Sequence, residues 1–127
     1  MKVLVISGIL FLFVSCENRD YFLVEVEKID SDEIAHIDFY TCEDGVRWQD
    51  TQPISSIRDW KSIKEVVYAI NYSNNPTVGK GSCWNKICLV KWDTMIVLHT
   101  NGEIVGKGNI GRYYSIQDPE IIQKYFK

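Results

Sequence analysis

Residues 87–100, closed by Asn101-Gly102, set the strongest limit on what this chain can fold into. The run is rich in Ile, Leu, Val and Thr, and residues 95–98 are apolar on both parities. A half-buried strand alternates, whereas a strand covered on both faces does not, so this stretch belongs in the middle of a sheet. Asn-Gly supplies the two positive-φ positions of a tight hairpin turn. The chain is then expected to return through Glu103, Ile104 and Val105, with His99 against Ile104, Val97 against Gly106 and Met95 against Gly108.

The flanking segments extend an antiparallel sheet. Residues 21–29 alternate, with Phe22, Val24 and Val26 opposite Glu25 and Glu27. Residues 33–42 do the same, with Ala35, Ile37 and Phe39 on one face and His36, Asp38 and Tyr40 on the other. Asp44-Gly45 predicts a second hairpin, returning through Val46, Arg47 and Trp48. Asp59 is a good helix N-cap, and Trp60, Ile63, Val67 and Ile70 follow at helical spacing, predicting a helix over 59–71. Residues 71–76 favour turns, and 77–86 read as a Gly-containing loop whose spacing is not that of a phosphate-binding loop. Residues 112–116 read as a last strand. Asp118-Pro119-Glu120 opens a closing helix over 118–126, with Pro at a position where its missing amide costs nothing. The expected class is α+β: an antiparallel sheet of about five or six strands with both helices on one face.

The opening residues are of another kind. Lys2 is followed by an unbroken segment of small and apolar residues over 3–14, then Ser15 and Cys16, which is the layout of a secretory signal. Its twelve residues fall short of the roughly 20 that span a bilayer as a helix. Phe13-Val14-Ser15-Cys16 resembles the lipobox of bacterial lipoprotein precursors, although Phe13 stands where Leu is commonest. That resemblance implies cleavage before Cys16 and lipidation of its thiol. It divides the chain into a signal peptide (1–15), a polar tether (16–20) and a single globular domain (21–127). It also implies a cell-envelope location, anchored in the membrane and facing the periplasm or exterior. Glu17 is not the Asp that marks inner-membrane retention in some enteric bacteria, which points to the outer membrane.

Export places Cys42, Cys83 and Cys88 in an oxidising compartment, where thiols pair. Three thiols allow three single bridges. Proximity along the chain favours Cys83 with Cys88, while Cys42 with either would tie the first hairpin to the later sheet. The formal net charge of −3 and the scattered Lys and Arg leave no basic footprint for nucleic acid.

Motifs for catalysis are missing from the sequence: no nucleophile elbow, no H-E-x-x-H, no C-x-x-C and no dinucleotide fingerprint. His36 with Asp38 reads as a solvated pair, and His99 as a hairpin residue. No cofactor is expected. Trp60 and Trp92 are assigned to the core, while Trp48, Trp84 and Tyr113 are candidates for an exposed patch that contacts a protein partner. The sequence alone therefore favours a non-catalytic binding domain of an envelope lipoprotein, such as an inhibitor, an immunity-type protein or an accessory subunit. The alternative is an envelope enzyme or metal/redox protein that uses His36, His99 and the cysteines.

Overall fold

The computed structural model describes residues 28–79, 83–107 and 112–127. The signal-like segment, Cys16, the tether and the first expected strand up to residue 27 lie outside the described residues, as do residues 80–82 and Gly108.

The described residues form an α+β fold around one antiparallel sheet of seven strands. These are β1 (His36–Tyr40), β2 (Ser55–Ile57), β3 (Asn74–Val78), β4 (Asn85–Val90), β5 (Met95–Thr100), β6 (Ile104–Gly106) and β7 (Arg112–Ser115). Their spatial order is β2-β1-β4-β5-β6-β7-β3. Helix α1 (Trp60–Asn71) connects β2 at one edge to β3 at the other, so it has to cross the sheet. Helix α2 (Pro119–Gln123) packs beside it and runs into a 3-10 turn, Lys124–Phe126.

The alternation in β1 decides which face is covered. Ile37 and Phe39 are fully buried, and their partners Leu89 and Ile87 on β4 join them in the core with Leu98, Val105 and Tyr114. From α1 come Ile63, Val66, Val67 and Ile70, and from α2 comes Ile122. His36, Asp38 and Tyr40 point to the opposite face and are only partly buried. Helix α1 starts where Asp59 accepts a hydrogen bond from the Ser62 amide at 2.9 Å, and that bond with the Ser62 side chain holds the carboxyl below its ordinary range. At its far end buried Asn71 pairs with Ile29 as a neighbouring strand would. Its carboxamide accepts from the Ile29 N–H at 3.0 Å and donates to the Ile29 carbonyl at 2.8 Å.

Several local expectations are corrected. The long apolar run is two strands, because the Lys91 N–H bonds to the Thr94 carbonyl and folds β4 back on β5. Met95 is 54% exposed, so the outer end of β5 is not covered on both faces. The Asn101-Gly102 turn is wider than a two-residue one: His99 pairs with Gly106 and Thr100 with Val105. The Asn101 carboxamide accepts from the amides of both Glu103 and Ile104, which satisfies them without a tight hairpin. Asp44-Gly45 does turn the chain, with Gly45 at φ 77°, but Trp48–Asp50 then forms a 3-10 turn. The strand that returns beside β1 is β2, in the register Ile37 to Ile57. Residues 74–78, expected as turn and loop, form edge strand β3. It carries Pro76 and a register shift, both tolerated in a strand that is outermost among the described residues. Finally, Trp60 and Trp92 are not core residues, being 60% and 88% exposed.

Candidate functional site

The site sits where β1 ends and β4 begins. The last pair between these strands is Tyr40 with Lys86, so continuing the register sets Cys42 opposite residue 84, one step from Cys83. The two cysteines are joined in a disulfide with a Cα–Cα separation of 5.6 Å. This corrects the expected Cys83–Cys88 bridge. Cys88 lies five residues along extended chain from Cys83, about 16 Å at strand rise, far beyond the roughly 7 Å a disulfide can span.

The loop that carries Cys42 is built by local bonds. The Cys42 N–H donates to Asn85 Oδ1 at 2.9 Å, and the Val46 N–H donates to the Glu43 carbonyl at 3.2 Å. Asp44, exposed at the tip of that turn, completes a cluster: one donor atom from each of Cys42, Asp44 and Cys83 lies within 4.8 Å of the others. The cluster borders a cavity of about 350 Å³ lined also by Arg47, Trp48, Trp84 and Lys86. Lys86 donates to the Trp84 carbonyl at 2.7 Å, and burial lowers its pKa.

The three aromatic candidates frame this site and do not form an exposed patch. Trp84 stacks on Tyr113 with ring centroids 4.6 Å apart, and both are buried, at 9% and 4% exposure. Burial raises the pKa of Tyr113. Half-buried Trp48 meets Tyr40 edge-on at 5.0 Å. The stack pins the segment that delivers Cys83, so these rings position the bridge.

Neither histidine belongs to the donor set. His36 Nε2 is 3.3 Å from Asp38 Oδ2, and Ser56 donates to the other oxygen of the same carboxylate. His99 faces Lys86 across the β4–β5 ladder, and burial together with that cation pushes its pKa down, which keeps the ring neutral.

Cys88 is the remaining thiol among the described residues, 2% exposed between Asp38 and Val97 on the neighbouring strands. Burial first, and then Asp38, push its pKa up to about 11 from an ordinary 9.0. Two pH units mean about a hundredfold less thiolate, and the thiolate is the reactive form. Iodoacetamide at pH 8 is therefore expected to label Cys88 about a hundredfold more slowly in the folded chain than in urea, read by mass spectrometry. The folded state holds this proton more tightly than the unfolded chain does. The resulting stability is complete below pH 9 and is lost as pH rises from 9 through about 11. Equal labelling rates in the folded and unfolded chain would show that Cys88 is not shielded.

A scan against protein-family models and searches of curated proteins and of solved structures found no match. The site is thus read from its own chemistry. Two sulfurs and a carboxylate beside a cavity could hold a metal ion once the bridge between the sulfurs is reduced. That corrects the expectation of a domain without catalytic or metal chemistry and favours the metal/redox alternative, with Asp44 in place of the histidines. Asp44 was missed in the sequence because Asp-Gly already had a turn to explain it.

Proposed function

We propose that this chain is an exported, lipid-tethered domain whose Cys42, Asp44 and Cys83 form a redox-gated site for a thiophilic divalent metal ion. The observation that carries the reading is the clustering of three donor atoms within 4.8 Å at the mouth of a cavity. Oxidised, the two sulfurs are bonded to each other and offer no thiolate. Reduction adds two electrons and two protons, both supplied by a dithiol as it closes to its own disulfide, or the electrons by a phosphine that becomes its oxide and the protons by water. The freed Cys42 and Cys83 thiols would then be able to hold a thiophilic divalent ion as thiolates, releasing their protons to solvent. Two thiolates and a carboxylate overcompensate a divalent ion by one charge, which Arg47 and Lys86 in the same lining offset. Cys42, Asp44 and Cys83 would be the residues that hold such an ion, and a divalent metal held by three protein donors would supply Lewis-acid chemistry there. Cys83 is exposed and Cys42 partly so, which suits a bridge that opens by thiol exchange. The signal-like opening residues and the lipobox resemblance support the tethered location.

Zinc titration against a chromophoric chelator tests this. The phosphine-reduced chain is expected to take up one equivalent, and the oxidised chain none. Cys42→Ser should abolish uptake. Asp44→Asn should weaken it by at least the roughly tenfold that loss of an outer-shell partner already causes. Equal uptake by oxidised and reduced chains, or by the Cys42→Ser variant, would refute the site.

A further inference from the structure

The outward side of α1 carries Trp60, Lys64, Tyr68 and Tyr72 at four-residue intervals, so they form one line along the helix. All four are solvent-exposed, Trp60 at 60%, Tyr68 at 58% and Tyr72 at 36%. The Lys64 ammonium lies 4.6 Å from the Trp60 ring centroid, and the Tyr68 and Tyr72 rings are 4.5 Å apart. The strip is therefore continuous over about 18 Å, the rise of twelve helical residues. A groove of about 420 Å³ runs beside it, lined by Lys28, Ser31, Lys64, Tyr68 and Tyr72. At the start of α1, the Trp60 indole N–H points to Asp32 Oδ1 at 3.5 Å. Lys91, next to the 88% exposed Trp92, pairs with Glu33 of the same short turn at 3.1 Å. The turn Ser31–Glu33 thus brings Trp92 to the same end of the domain as Trp60.

Amphipathic rings beside a lysine are what the headgroup layer of a bilayer accommodates: the ring bodies sit in the acyl boundary while hydroxyl, indole N–H and ammonium stay wet. We infer that this side of α1 rests in the interface of a phospholipid membrane. The chain's own layout favours that occupant. Ile29 is locked to Asn71 at the Tyr72 end of the strip, and Cys16 lies thirteen residues upstream, at most about 45 Å of extended chain. A lipid at Cys16 would pull this side down. Lys28 and Lys64 line the same groove, with Asp30 as its one acidic residue, and would meet anionic headgroups. The inference rests on the tether of the proposed function and not on its metal site.

The test uses the full chain purified from bacterial membranes, labelled with 5-fluorotryptophan and reconstituted into phosphatidylethanolamine–phosphatidylglycerol vesicles containing a nitroxide-labelled phospholipid. Trp60→Phe, Trp84→Phe and Trp92→Phe assign three of the four fluorine resonances. The Trp60 and Trp92 signals are expected to broaden, while that of Trp84, buried against Tyr113, stays sharp. Replacing the exposed pair, Tyr68→Ser with Tyr72→Ser, should at least halve the broadening at Trp60 without altering the Trp84 signal. Sedimentation with the vesicles reads the anchor separately from the fluorine signals. A sedimenting chain whose Trp60 signal stays sharp, and broadens only with a water-soluble relaxation agent, overturns the orientation and leaves the anchor standing. A chain that remains in the supernatant overturns both.

Discussion

Replacing Cys42 and Cys83 by serine is expected to lower the unfolding free energy by about 4 kcal/mol. The bridge closes a loop with a sequence separation of 41 residues, which contains β2, α1 and β3. Without the crosslink, the unfolded chain regains the closure entropy of that loop, which amounts to about 4 kcal/mol at room temperature. Since single domains are stable by only about 5–15 kcal/mol, the change is large, and urea melts of the oxidised chain and the double variant will read it. A metal site makes a further demand on the same experiment. Zinc at a hundredfold excess over its dissociation constant should restore about 2.7 kcal/mol to the reduced wild-type chain by mass action, and nothing to the serine variant. A midpoint unchanged by reduction would mean that the bridge contributes nothing to stability. Restoration of both chains would place the metal elsewhere.

Phe39→Ala is expected to cost about 3–5 kcal/mol, the range for truncating a fully buried aromatic. Phe39 is wholly buried on the core face of β1 and packs against the turn Lys124–Phe126. Its ring stacks on Tyr125 at 4.6 Å and meets Phe126 edge-on at 5.4 Å. The variant should therefore lose stability and also release the turn Lys124–Phe126, seen as faster amide exchange there than in β4 and β5. The Ser55 hydroxyl bond to the Tyr125 carbonyl, 2.6 Å long, is too weak alone to keep that turn in place. Amide exchange at Tyr125 and Phe126 that matches the wild type would show that the turn docks independently of Phe39.

Much of this architecture can be read from the residues, because alternation and capping are local. His36 to Tyr40 alternates in and out as its sequence does, and Asp59 caps α1. What failed was non-local. No residue near Cys42 says that β1 will pair with β4 across the intervening β2, α1 and β3, and only that pairing brings Cys42 to Cys83. Proximity along the chain misled for Cys88, since extended backbone separates residues faster than it joins them. The tryptophans failed for a related reason. Trp60 fits the apolar spacing of α1, yet as its first residue it projects past the sheet and ends up exposed; Trp84 looked like a loop residue, yet it is sealed by stacking on Tyr113 from a distant strand. The signals that were available, Cys42-x-Asp44 and the possibility of a bridge from Cys42 to Cys83, acquire meaning only once the register is known.

The outermost strands carry one more consequence. On one side of the sheet stands β2, only three residues long; on the other β3 is broken by Pro76 and a shifted register, with Asn75 at φ 56°. Neither offers a long, regular row of free amides and carbonyls onto which another chain could zip. Crowded side by side on a surface, copies of this domain would find little along those margins to polymerise through.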